Sequence, residues 1–193
     1  MKSRIDTFTE FFLHLDELKA VERRTYIRGG ERRENSAEHS WQLAMACWVI
    51  AEASHVDYDV ERLIKLALVH DLGEIGAGDT FLYAADRASA PLMERESVEQ
   101  TAGYAGNSIS NLVTLWDEQE SGETKEARLL KVIDRLLPFM HNMNSEGRAW
   151  RDNGINRQQV LKMHGFVERE HPEIWAWIET QIDLAVENGW LGS

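Results

Sequence analysis

A single cysteine, only three prolines and no long unbroken apolar run set the first limits on this chain of 193 residues. With Cys47 alone, no internal disulfide framework can form. The opening stretch MKSRIDTFTEFFLHLDELKA interleaves charge with apolar residues, so it lacks the continuous apolar core of a signal peptide. Nothing approaches the roughly 20 apolar residues of a membrane span. Positive charge is also scarce: 21 Lys and Arg stand against 33 Asp and Glu, for a net charge of −12. Nucleic-acid polymers and anionic membranes are held by clustered positive charge, so neither is an expected partner. A cytoplasmic protein is expected, and one small anionic substrate held by a metal and a few arginines stays open.

What is present is ample material for a core, with 43% hydrophobic residues and seven tryptophans. The length suits one domain, expected over 1–193. Helical periodicity dominates. Residues 3–20 place Phe8, Phe11, Phe12, Leu15 and Leu18 on one stripe. RRTYIRGGERRE reads as a basic loop. Asn35 with Glu38 forms a capping-box pattern that opens a second helix just before His39. Asp59 caps a third helix with Val60, Leu63, Ile64, Ala67 and Leu68 inward. Gly73, Gly76 and Gly78 loosen the chain, and Pro91 starts a fourth helix reaching to about Glu120, with some irregularity near Gly103 and Gly106. A fifth spans 124–146, Asn156 and Gln159 box a sixth, and Pro172 opens the last. No strand alternation stands out. The expected fold class is all-α, a single-domain bundle of about six to eight helices.

Polar residues on the apolar faces carry the chemistry. His39 lies in register with Leu43, Ala46, Cys47 and Ile50. His70 and Asp71 are adjacent at the end of the third helix, with Glu74 one turn beyond His70. Asp134 shares a stripe with Ala127, Leu130, Leu137 and His141, and a carboxylate on an apolar face needs a positive partner. Pro138 sets its ring against the carbonyl of Asp134, so a kink there is expected. Two imidazoles and two carboxylates suit one Mn²⁺, Co²⁺, Fe²⁺, Ni²⁺ or Zn²⁺ ion better than Ca²⁺, with Mg²⁺ also admitted. Such a site leaves coordination room for water and a substrate oxygen, which permits metal-assisted hydrolysis. Arg28 has the guanidinium to grip a phosphate. His141 is a candidate to support Asp134 from behind.

The segments ENSAEHSWQLA, LALVHDLGEIGAGDT and EARLLKVIDRLLP resemble the H…HD…D signature of the HD-domain phosphohydrolase superfamily. Within it, they look most like the branch of small hydrolases that contains bacterial 5′-deoxynucleotidases. The metal-site core then covers about 34–138. The resemblance implies His39, His70, Asp71 and Asp134 as metal ligands. It implies Glu74 as the acid/base carboxylate and Asp79 as an acid on the substrate's sugar side. Arg24, fifteen residues before His39, matches the branch's substrate arginine, but Thr25 stands where that branch has tryptophan. No GYP tripeptide of the cyclic-dinucleotide branch occurs. The expected activity is hydrolysis of a small phosphorylated substrate, a nucleoside 5′-monophosphate, by a homodimer. Another phosphate ester, or a metal-stabilised binding protein without turnover, are the alternatives.

Overall fold

The computed structural model describes residues 2–84 and 89–193. Helix α1 (Arg4–Asp16) passes through a 3₁₀ turn (Glu17–Ala20) into a hairpin of β1 (Glu22–Tyr26) and β2 (Arg33–Asn35). The helices α2 (Ser36–Ala53), α3 (Val60–Val69), α4 (Glu74–Ala77), α5 (Ala90–Ala102) and α6 (Leu112–Ser121) follow. After them come α7 (Lys125–Asn144), α8 (Arg148–Asp152), α9 (Arg157–His164), α10 (Val167–Glu170) and α11 (Pro172–Glu187). Leaving out the single turns α4, α8 and α10, the long helices among the described residues match the expected bundle.

Local chemistry sets most boundaries. Asn35 and Asn156 both close reciprocal capping boxes, with Glu38 and Gln159, at the starts of α2 and α9. Asp59 and Thr124 accept from backbone N–H groups to start α3 and α7. Helix α7 runs on through Pro138 to Asn144.

Three sequence expectations need correction. The basic loop is an antiparallel hairpin, pairing Glu22 with Asn35 and Tyr26 with Arg33. Its strands are too short to show an alternating pattern. The helix from Pro91 to Glu120 is two, α5 and α6, because the chain turns at Gly106 (φ 95°) with the backbone of Thr7 against it. Phe12 and Leu68, expected on the inner stripes of α1 and α3, are 61% and 51% exposed, and Phe11 alone is buried in α1.

The core lies where α2 packs on α3 and α7, and α3 on α6. Leu43, Leu63, Leu66, Ile133 and Trp116 fill it, and Ile178 and Ile182 of α11 extend it behind α7. Two details of this packing position the chain just after α3. Trp116 Nε1 donates to the carbonyl of His70 at 3.1 Å, satisfying a helix-end acceptor deep in the core. A Cβ on Gly73 would meet the backbone of Glu94 at 2.7 Å, so glycine there lets α5 close over the turn that carries Glu74. Trp116→Phe keeps an aromatic ring but removes the indole N–H and part of the buried volume, so it orphans the His70 carbonyl. A loss of about 1–3 kcal/mol in stability is expected by urea unfolding.

Candidate metal centre

Three separate segments deliver the cluster. The capping box at Asn35 sets the entry of α2 and puts His39 in its first turn, fully buried. His70 is the last residue in helical geometry after α3, and Asp71 begins the turn into α4. Ligand-type atoms of His39, His70 and Asp71 all lie within 4.8 Å of one another. From α7, Asp134 brings Oδ1 to 3.1 Å from His39 Nε2.

Proton positions decide whether these residues fit a cation. His70 Nδ1 bonds the carbonyl of Ala67 at 2.8 Å, which commits that nitrogen as donor. Its Nε2 is buried without a hydrogen-bond partner, yet Asp71 Oδ1 lies 3.0 Å away. A lone pair therefore faces a carboxylate unless a proton or a metal stands between them. Without a metal, the proton is favoured. Burial works against a charged ring, but Asp71 outweighs it and raises the His70 pKa above its ordinary value. His39 is the opposite case: burial, with Arg23 beside it, brings it down to about 4, so its imidazole is neutral. Without a metal its Nε2 donates to Asp134 Oδ1 at 3.1 Å, and that nitrogen offers a lone pair once the proton sits on Nδ1. Burial opposes the charge on Asp71 too, but His70 and Arg23 hold it at about 2. A neutral imidazole, a second that trades its proton, and ionised carboxylates form a donor set suited to a divalent transition metal.

Arg23 stands at the centre of this charge. Its Nη1 is 2.8 Å from Asp71 Oδ2, 3.6 Å from Asp79 and 3.8 Å from Glu74, while its Nε is 3.7 Å from Glu34. Glu74 is 6% exposed, and Ser36 Oγ donates to its Oε2 at 2.5 Å. Burial, then the charge of Asp71, push Glu74 up to about 9, so it keeps its proton at neutral pH. Glu34 is 2% exposed and is pushed up to about 7 by burial, against the pull of Arg23.

A cavity of about 250 Å³ opens onto the cluster. Arg23, Arg24, Thr25, His70, Asp71, Glu74, Asp79 and Asp134 line one side of it; Phe81, Tyr83, Lys131 and Arg135 lie further along. Of the residues singled out from sequence, Arg24, His70, Asp71, Glu74, Asp79 and Asp134 line this cavity, and His39 is fully buried against Asp134 without lining it. Arg28 is exposed in the hairpin turn and does not line the cavity, so its expected phosphate grip has no geometric support. Arg24 does line it, with its guanidinium 5.9 Å from the Phe81 ring. Sequence reasoning passed over Arg23, Glu34 and Ser36. The one available signal was the strand itself, which buries Arg23 and Thr25 more deeply and leaves Arg24 solvent-exposed where it borders the cavity.

Residues 15–175 match the HD domain family, more than half of the chain. The chain belongs to the HD-domain family. A solved structure described as a predicted metal-dependent phosphohydrolase from Magnetospirillum magnetotacticum MS-1 is 33% identical, with a TM-score of 0.88. It covers 99% of this chain, and the match takes in 97% of that protein. The zebrafish (Danio rerio) protein named 5′-deoxynucleotidase HDDC2 is 29% identical over 68% of this chain and 66% of its own length. The Salmonella paratyphi B protein named 5′-deoxynucleotidase YfbR is 25% identical over 80% of this chain and 81% of its own.

The family implies a divalent metal, and His39, His70 and Asp71 form a possible site for one. Because a protonated His70 must release its proton to bind a metal, Co²⁺ affinity should weaken as the pH is lowered. Calorimetric titration in buffers of different ionisation enthalpy should record the proton released.

Proposed function

We propose that this HD-domain protein is a metal-dependent phosphomonoesterase acting on nucleoside 5′-monophosphates, deoxynucleotides foremost. The observation that carries the reading is the buried Glu74 on the same cavity wall as His70 and Asp71, whose ligand-type atoms cluster with those of His39. In this reading His39, His70, Asp71 and Asp134 hold one ion of the Mn²⁺, Co²⁺, Fe²⁺, Ni²⁺, Zn²⁺ or Mg²⁺ type. Such an ion, when bound, polarises a phosphoryl oxygen and lowers the pKa of an adjacent water.

The chain's own side chains do the rest. Ser36 engages Glu74 Oε2, which leaves Oε1 turned toward Arg23 and the cavity. A protonated carboxyl there can give its proton to the departing sugar oxygen, and as the anion can take one back from water. Arg23 is held by Asp71, Glu74 and Asp79, the same carboxylates that a cation would draw on; Arg23 and Arg24 together offer guanidinium donors to a phosphate. Asp79 sits on the sugar side of the reading. Positioning and charge neutralisation supply most of the rate gain. The names of the zebrafish and Salmonella relatives support the substrate class.

The test is phosphate release from a panel of deoxy- and ribonucleoside 5′-monophosphates and simpler phosphate esters, with Co²⁺ or Mn²⁺ and metal content measured on the same sample. Glu74→Gln should keep its metal and lose about 10²–10⁴-fold in kcat. Stoichiometric metal without phosphate release from any ester would replace the enzyme with a metal-stabilised binding protein.

The proposal extends to a cytoplasmic homodimer. Among the described residues no helix is long and apolar enough to cross a membrane. The buried free thiol of Cys47 suits a reducing compartment. Trp41, Met45, Trp48 and Val49 form an exposed apolar stripe on α2, the surface offered here to a second copy. Trp41→Glu with Val49→Glu should shift the sedimentation coefficient to that of a monomer.

A further inference from the structure

Glu34 has no part in the chemistry above, yet three buried nitrogen atoms converge on it. The residue is the middle one of β2, and its side chain points into the protein. Its Oε2 accepts from Thr25 Oγ1 at 3.1 Å and lies 3.7 Å from both Arg23 Nε and His39 Nδ1. Its Oε1 lies 3.8 Å from His141 Nδ1. Each of those three nitrogens is buried, and none has a hydrogen-bond partner. A contraction of under about 1 Å would bring all of them to hydrogen-bond distance of one carboxylate.

The direction of His39 gives this cluster a purpose. Its Nε2 faces Asp134 and the candidate metal position, while its Nδ1 faces Glu34. An imidazole can donate the Nε2 lone pair to a metal only while its proton sits on Nδ1, and the acceptor facing that proton is Glu34. A carboxylate behind a metal-bound histidine fixes the ring's tautomer and orientation and makes the ligand more basic. Burying a carboxylate at this point is unfavourable for the fold alone, since an apolar residue would fill the space at lower cost.

We infer that Glu34 is a positioning residue of the metal centre, taking the Nδ1 protons of His39 and His141 and the Nε proton of Arg23 so that His39 presents Nε2 to the ion. The inference rests on the reading of His39 as a metal ligand. It also gives His141 a place, bracing the carboxylate from α7, and links the hairpin to the centre through Thr25 and Arg23.

Glu34→Gln keeps the shape and removes the charge. Its Co²⁺ affinity, measured against a competing chelator, should fall about 10–100-fold, and the visible absorption spectrum of bound Co²⁺ should change. Glu126→Gln is the control: Glu126 is also a buried carboxylate, but it accepts from the Asp59 backbone at 2.9 Å, at the start of α3. That variant should bind Co²⁺ as the wild type does. A second measurement needs no variant. Nitrogen-15 NMR of the Zn²⁺-loaded wild type should show His39 with its proton on Nδ1 and a downfield Nδ1 proton signal. Wild-type affinity and spectrum in folded Glu34→Gln, or a His39 Nδ1 without a bonded proton, would overturn the inference alone. Wild-type protein that takes up neither ion would overturn the metal-centre reading and this inference with it.

Discussion

Negative charge gathered in a place with little water is the constraint on which this structure turns. Glu34, Asp71, Glu74 and Asp79 all reach within 4 Å of the Arg23 guanidinium, and Asp134 meets them across His39. Mutual repulsion in a poorly screened interior would scatter these groups unless positive charge or protons answered them. The fold answers in three ways: a buried arginine among the carboxylates, a proton kept on Glu74, and a proton on His70 drawn by Asp71. Each of these can be exchanged for something else. The arginine can turn to a phosphate, and the protons can leave.

That exchange explains why the scaffold around the cluster is so firmly pinned. The His70 carbonyl is tied to Trp116, the His70 ring to Ala67, and Glu74 to Ser36. Ser36 itself is the first residue of α2, three positions before His39. One short segment, 34–39, thus supplies the buried carboxylate, the helix cap, the hydroxyl on Glu74 and an imidazole of the cluster. A shift of this segment would disturb all of them together. Its position is set by the reciprocal cap at Asn35 and by pairing of β2 with β1.

The legible part of this design was the part written as a conflict with periodicity. His39 and Asp134 stand on apolar stripes where a polar residue is costly, so each asks for a partner, and the structure brings them to 3.1 Å. Capping boxes were equally legible, because they are local and chemically explicit. The hairpin was not. Its strands are three and five residues long, crowded with charge, and their register shifts between Glu22 and Tyr26. In such a stretch adjacent residues take opposite sides, so counting back from His39 points to Arg24 while the strand turns Arg23 inward. Glu34 was hidden for the same reason: in a loop of charges a buried glutamate looks like its solvated neighbours. Gly103 and Gly106 marked an irregularity between α5 and α6 but not a full break, which comes where Gly106 meets the backbone of Thr7, nearly 100 residues away in sequence.

The same charge argument separates what sustains the fold from what serves the site. Trp116, Leu43 and Ile133 would stabilise any helical bundle of this shape. Glu74 would not: with its pKa at about 9 against an ordinary 4.5, folding favours its neutral form. In the metal-free protein, stability from this group is fully present below about pH 4.5 and is lost as the pH rises toward 9, because the unfolded chain ionises first. A glutamine would hold the same space without that loss. The carboxyl therefore stands against the interest of stability over the whole neutral range. That cost, beside a cluster of metal-type ligands and an arginine, supports the acid/base role proposed for Glu74.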